Sequence, residues 1–275
     1  MTLMAQDKKS FTLDDLMWGG SNYWNLQPKN IYTAWWGDRL LQTDADDVQT
    51  FYNEKGKAEK PAVLFTEADV NACLNQEQQG KVYNLMNARF PYADSTLVFL
   101  QTGKVNLLYN WKEKQIAWNA PRMAGSSHHD FCFASRQEAY VKNWNLYVTS
   151  QDGRTLQVSQ DGSRELQYGC SVHRDEFGIH KGTFWSPDGK KLAFYRMDQS
   201  MVTDFPLVNN EGRIATLAPE KYPMAGMTSH KVTVGIYDTE SGATIYLKAG
   251  DPTDRYFTNI AWAPDAQKIY VIEVP

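Results

Sequence analysis

Residues 173–200 read HRDEFGIHKGTFWSPDGKKLAFYRMDQS, and the reading of this stretch decides the fold. Its centre, Trp185-Ser186-Pro187-Asp188-Gly189, is a strand end running into a tight turn. Pro187 presets φ, Asp188 bonds nearby backbone amides, and Gly189 supplies a positive φ. Leu192-Ala193-Phe194-Tyr195 follows as an apolar run suited to a buried strand. Upstream, His173-Arg174-Asp175-Glu176 lacks strand alternation, which predicts a loop or a single helical turn at the lip of a β-unit.

Working outward, the phrase repeats. Trp185 to Phe194 recurs as Trp262-Ala263-Pro264-Asp265-Ala266-Gln267-Lys268-Ile269-Tyr270-Val271, and in degenerate form as Phe131 to Tyr140. The leading aromatics lie 54 and 77 residues apart, and the longer interval holds an insertion at Met201–Met227, rich in Pro, Asn and Gly. Two copies are followed by a strand-turn-strand, at Asn145–Val158 and at Val232–Leu247 around Glu240-Ser241-Gly242. Gln151-Asp152-Gly153 and Gln160-Asp161-Gly162 read as hairpin turns bracketing Leu156-Gln157-Val158. Aromatic, turn, apolar strand and hairpin together make one four-stranded blade of a β-propeller. A β-sandwich has no need of the recurring phrase. Nearer the amino terminus, Thr12 caps a short helical turn, Ile31–Trp36 is a strand, and Thr66 caps one further short helix.

Composition agrees with an all-β chain. Aromatics make up 13% of the 275 residues, nine of them Trp, and long Ala/Leu/Glu runs are scarce. A net charge of −4 without a basic stripe argues against nucleic acid. No run of about 18 apolar residues is present to span a membrane as a helix. Three widely spaced cysteines, Cys73, Cys132 and Cys170, do not form a disulfide framework, although one bridge stays open. His128, His129, Asp130, Cys132, Cys170 and His173 are metal-ligating types, but the set is mixed, and neither a metal nor a cofactor is expected. Residues 1–10 read as a disordered tail or as the remnant of a signal peptide in Met1–Gln6.

The phrases Arg174-Asp175-Glu176-Phe177-Gly178, Phe184 to Gly189, Leu192 to Asp198, Tyr222-Pro223-Met224-Ala225-Gly226 and Lys231 to Asp238 occur in the order seen in a known family. From about Phe11 to its end the sequence resembles the N-terminal propeller of the dipeptidyl peptidase IV family, in the prolyl oligopeptidase clan of serine peptidases. VHRDEFGIHKGTFWSPDG is most similar to the bacterial prolyl tripeptidyl aminopeptidase branch. The resemblance implies that residues 11–275 are part of an eight-bladed propeller that caps a C-terminal α/β-hydrolase domain. It further implies that Glu176 grips the free amino terminus of a peptide, with Asp175 as a second acceptor and Arg174 and Arg196 in support. Dipeptidyl members usually carry two adjacent glutamates at this place. Asp175-Glu176 therefore leaves dipeptidyl and tripeptidyl release both open.

The expected fold is thus an all-β partial propeller of about four blades, at roughly 50 residues per blade, with a short N-terminal helical segment. No Gly-x-Ser-x-Gly nucleophile elbow occurs in the sequence. The expectation is a substrate-gating portion of a periplasmic or secreted serine exopeptidase that releases di- or tripeptides after proline, inactive alone, on peptides with a free amino terminus. A stand-alone propeller that binds a protein or peptide without catalysis is the alternative. Uncovered blade edges predict self-association as a homo-oligomer, or poor solubility.

Overall fold

The computed structural model describes residues 10–28, 31–52, 58–93 and 95–274. The leader-like Met1–Gln6 lies outside them. Two short helices open the chain, α1 (Leu13–Leu16) and α2 (Tyr23–Leu26), and Thr12 caps the first through a reciprocal bond with Asp15. A first sheet follows in sequence order, β1 (Tyr32–Trp36), β2 (Arg39–Thr43), β3 (Asp47–Tyr52) and β4 (Ala58–Thr66). The last two strands were not anticipated, because residues 44–65 carry none of the repeat's phrases. Helix α3 (Glu67–Ala72) begins at the expected cap, where Thr66 accepts from the amide of Asp69. A single turn, α4 (Gln76–Gln79), leads to a second sheet of β5 (Leu97–Gln101), β6 (Val105–Asn110) and β7 (Gln115–Pro121).

The repeat forms the next sheets. β8 (Ser127–Cys132), β9 (Gln137–Lys142), β10 (Asn145–Thr149) and β11 (Thr155–Gln157) pair consecutively. β12 (Leu166–Tyr168) and β13 (Thr183–Trp185) both pair with β14 (Lys191–Asp198). Four small strands make two hairpin ladders in the insertion: β15 (Asp204–Phe205) with β18 (Glu220–Lys221), and β16 (Val208–Asn209) with β17 (Thr216–Leu217). β19 (Lys231–Asp238) then returns beside β14, β20 (Thr244–Tyr246) completes that sheet, and β21 (Tyr256–Trp262) with β22 (Ile269–Val274) begins another. Gln160-Asp161-Gly162 is not the hairpin turn expected. It crosses between sheets, with the Gly162 amide donating to Asn145 Oδ1 and Asp161 accepting from the Tyr168 hydroxyl.

Strand alternation explains how the sheets stack. Leu192 and Phe194 pack with Ala139, Leu146 and Val148 of the sheet before, whereas Ala193 and Tyr195 pack with Phe257 and Ile260 of the sheet after. Because β14 is buried on both faces, its apolar run is continuous rather than alternating. The repeated tryptophans set the register between sheets. The Trp185 indole donates to the Asp130 carbonyl at 3.0 Å, and the Trp262 indole to the Phe184 carbonyl at 2.9 Å. In each case the acceptor is the residue just before the equivalent aromatic of the preceding copy, so one phrase ties three successive sheets. The turns match as well, with Gly189 at φ 69 and Ala266 at φ 58.

Candidate functional site: a pinched acidic loop

Strands β12 and β13 lie end to end along one edge of β14, and the acidic segment is what lies between them. Tyr168 pairs with Arg196 and Thr183 with Phe194, so residues 169–182 leave and rejoin the sheet within two residues of β14. Tyr195 closes the neck with both backbone groups: its carbonyl accepts from the Gly169 amide and its amide donates to the Gly182 carbonyl, each at 2.9 Å. The limbs touch there. A Cβ on Gly182 would collide with the Cys170 carbonyl, which is why the second limb leaves through glycine. A compact surface loop with close ends and its own internal packing is a frequent carrier of function.

At the tip the backbone is strained. His173, Arg174, Asp175 and Phe177 have φ of 53, 54, 60 and 56°, and Gly178 continues at 74°. Glu176 alone departs, with φ −71° and ψ 169°, which reverses the chain at that residue. Each left-handed non-glycine residue costs about 1–2 kcal/mol, so the tip must be held by its surroundings. Of the loop or single helical turn expected here, the segment is a loop whose short turn is left-handed.

Asp175 and Glu176 are both exposed, not set in a dry cleft. They diverge: Asp175 lines a cavity of about 420 Å³ together with Arg174, Lys221 and His230, while Glu176 is not among the lining residues. Arg174 does not pair with Asp175, as might be read from their adjacency. Its guanidinium lies 4.4 Å over the Tyr222 ring and donates to the Lys221 carbonyl at 3.3 Å. Arg196 is not brought to the loop tip. It sits on the β14 face opposite Met197, where its Nε donates to the Tyr168 hydroxyl at 3.2 Å. Asp198 bonds Ser200, and Tyr195 is core rather than cleft.

Behind the tip, His173 is buried and its Nδ1 lies 2.9 Å from His230 Nε2, one nitrogen donating and the other accepting. Burial, followed by the neighbouring imidazole, pushes the His173 pKa down to about 4; burial and then Arg174 lower that of His230. Tyr256 packs against both His173 and Phe177, at 4.7 and 5.4 Å between ring centroids. Lys221, Tyr222, His230 and Tyr256 were missed from sequence. Tyr222 and the neighbourhood of His230 do stand in the quoted phrases, but nothing in one sequence pairs positions 173 and 230.

The metal-ligating types are dispersed. His129 faces Glu138 at 3.1 Å, Lys181 and Thr183 hold Asp130 at 3.0 Å each, and Cys132 and Cys170 are buried free thiols. Among the described residues no three such side chains gather. Glu138 is itself notable, a fully buried carboxylate 3.6 Å from Arg122 at the seam between the second and third sheets.

Known proteins resemble this chain along most of its length. The sequence model of the family described as "Dipeptidyl peptidase IV (DPP IV) N-terminal region" matches residues 89–275. A "Probable dipeptidyl-aminopeptidase B" of Pyrenophora tritici-repentis is 31% identical over 153 residues, covering 49% of this chain and 17% of that protein. A crystal structure of a candidate dipeptidyl aminopeptidase IV from Bacteroides ovatus superposes with a TM-score of 0.84 at 41% identity, over 97% of this chain and 36% of that one. Dipeptidyl peptidase 4 of Porphyromonas gingivalis is similar in fold, with a TM-score of 0.63 at 19% identity, over 90% of this chain and 36% of that one. The chain thus spans about a third of these solved chains and about a sixth of the curated fungal relatives.

Proposed function

The chain belongs to the family of the dipeptidyl peptidase IV N-terminal region, and from that premise we propose that it is the substrate-gating portion of a serine exopeptidase. In this reading Glu176 accepts the ammonium of a peptide's free amino terminus, and Asp175 is a second acceptor. A C-terminal α/β-hydrolase domain in the full-length protein breaks the bond. Export to the periplasm or beyond belongs to the same proposal, as does self-association. The observation that carries the reading is the pinched loop, which spends backbone strain to present two carboxylates at an exposed tip. A carboxylate binds an ammonium by a charge-assisted hydrogen bond, and an internal peptide segment or a blocked terminus offers no such donor. The loop's contribution is positioning, since it fixes where the amino terminus sits and hence how far away the scissile bond lies.

The test is calorimetric titration of the chain with Ala-Pro-Ala and with its N-acetylated form. A hydrogen bond to a charged group contributes about 1.5–3 kcal/mol, and an exposed one lies at the low end. The free peptide is therefore expected to bind about tenfold more tightly than the acetylated one, and Glu176→Gln to erase that difference. Equal binding of the two peptides by the unaltered chain would remove the reading.

A further inference from the structure

We infer that His230, Tyr256 and Tyr222 are positioning residues that latch the acidic loop in its left-handed conformation and so set how Glu176 is presented. The consequence for peptide binding rests on the amino-terminus reading above; the latch itself rests on geometry alone. The loop's neck is closed by the backbone of Tyr195, and short-range bonds tie the tip at its two ends: Asp175 amide to Val172 carbonyl, and Ile179 amide to Glu176 carbonyl. Short-range backbone bonds alone do not offset the strain of four non-glycine residues at positive φ. The restraint comes from three elements outside the loop. His230, just before β19, bonds His173 at the first left-handed residue. Tyr256, at the start of β21, packs on His173 and Phe177 and so grips both sides of Glu176. Tyr222, at the foot of the insertion, stacks on Arg174, whose guanidinium also bonds the neighbouring Lys221 carbonyl.

These contacts divide the tip among separate parts of the fold. The insertion is tied to the recognition loop through Arg174, and the sheet begun by β21 is tied to it through Tyr256. Tyr256 also places the loop at a junction between two sheets, so a shift of one against the other moves the tip. Glu176 itself makes none of these contacts. It is the residue left free when its neighbours on both sides are pinned.

The experiment combines amide hydrogen exchange over residues 170–184 with titration of Ala-Pro-Ala and its acetylated form, on the chain and four variants. His230→Leu keeps bulk and removes the bond, His230→Gln returns a polar atom near Nε2, Tyr256→Leu removes the ring, and Tyr222→Ala alters a side chain that is 42% exposed and outside the core. Exchange at 173–178 is expected to rise at least tenfold in His230→Leu, Tyr256→Leu and Tyr222→Ala, and to stay near the unaltered rate in His230→Gln. Affinity for the free peptide is expected to fall by up to tenfold in the same order, with the acetylated peptide unaffected. Unchanged exchange in both His230→Leu and Tyr222→Ala would overturn the latch. Raised exchange with no change in affinity, joined by a silent Glu176→Gln, would leave the latch standing and overturn the amino-terminus reading.

Discussion

Acidification should destabilise this protein through a histidine before its carboxylates protonate. His173 is 4% exposed and its pKa is lowered from 6.5 to about 4. In the unfolded chain it binds a proton at its ordinary value, so between pH 6.5 and 4 the unfolded state carries more protons than the folded one. Stability must then rise with pH through that window, and the contribution is lost progressively on going down. At about 1.4 kcal/mol per pH unit, a gap of roughly 2.5 units amounts to about 3 kcal/mol. His230 shifts in the same direction and adds to the slope. The depressed carboxylates, among them Asp188 and Asp238, also stabilise the fold above their unfolded pKa, near 3.8, and lose that effect as pH falls below it. The two windows barely overlap. Urea unfolding followed by tryptophan fluorescence at pH 7.5, 6.5, 5.5 and 4.5 is the assay, run in parallel on His173→Gln. The unaltered chain is expected to lose about 2–3 kcal/mol between pH 6.5 and 4.5, and the variant markedly less over the same interval, whatever its starting stability. A flat profile in the unaltered chain, or equal slopes in both, would refute the reasoning.

Two further outcomes follow from the packing between sheets. Trp262→Phe keeps an aromatic ring but leaves the Phe184 carbonyl without its indole donor, and should lower unfolding stability by about 1–2 kcal/mol in urea. Glu138→Ala removes the buried acceptor of the partly exposed Arg122 and His129 and should cost about 1.5–3 kcal/mol, whereas a packed Glu138→Leu should cost clearly less; thermal melting of the pair gives the comparison.

The architecture was legible where the chain repeats itself. Trp185, Trp262 and Phe131 stand at equivalent positions because each closes the seam with the sheet before it, and that shared duty is visible as shared spelling. The strands β3 and β4 pack Val48 and Phe65 against the second sheet without any such phrase, so nothing marked them. Gln160-Asp161-Gly162 misled because its turn chemistry is genuine, yet Asp161 and Gly162 serve a crossing between sheets rather than a hairpin. At the loop, the sequence identified the residues at the tip but not what holds them. Adjacency suggested an Arg174–Asp175 pair; the left-handed backbone instead turns Arg174 toward Tyr222, which is distant in sequence. Arg196 was placed in support of the site by the family resemblance, and strand alternation sends it to the β14 face opposite Met197. Side-chain direction at a strained turn is a property of φ and ψ that residue identity does not disclose.

Glu176, on its pinned loop, is proposed to recognise an ammonium. The most direct measurement is the affinity of the chain for Ala-Pro-Ala across pH 6 to 9.5, which takes the peptide's amino group through its ordinary pKa of about 8. Ammonium recognition gives constant affinity up to about pH 7.5 and then a fall toward the level of the acetylated peptide, which itself stays flat. Affinity for the free peptide that holds level to pH 9.5 would contradict it.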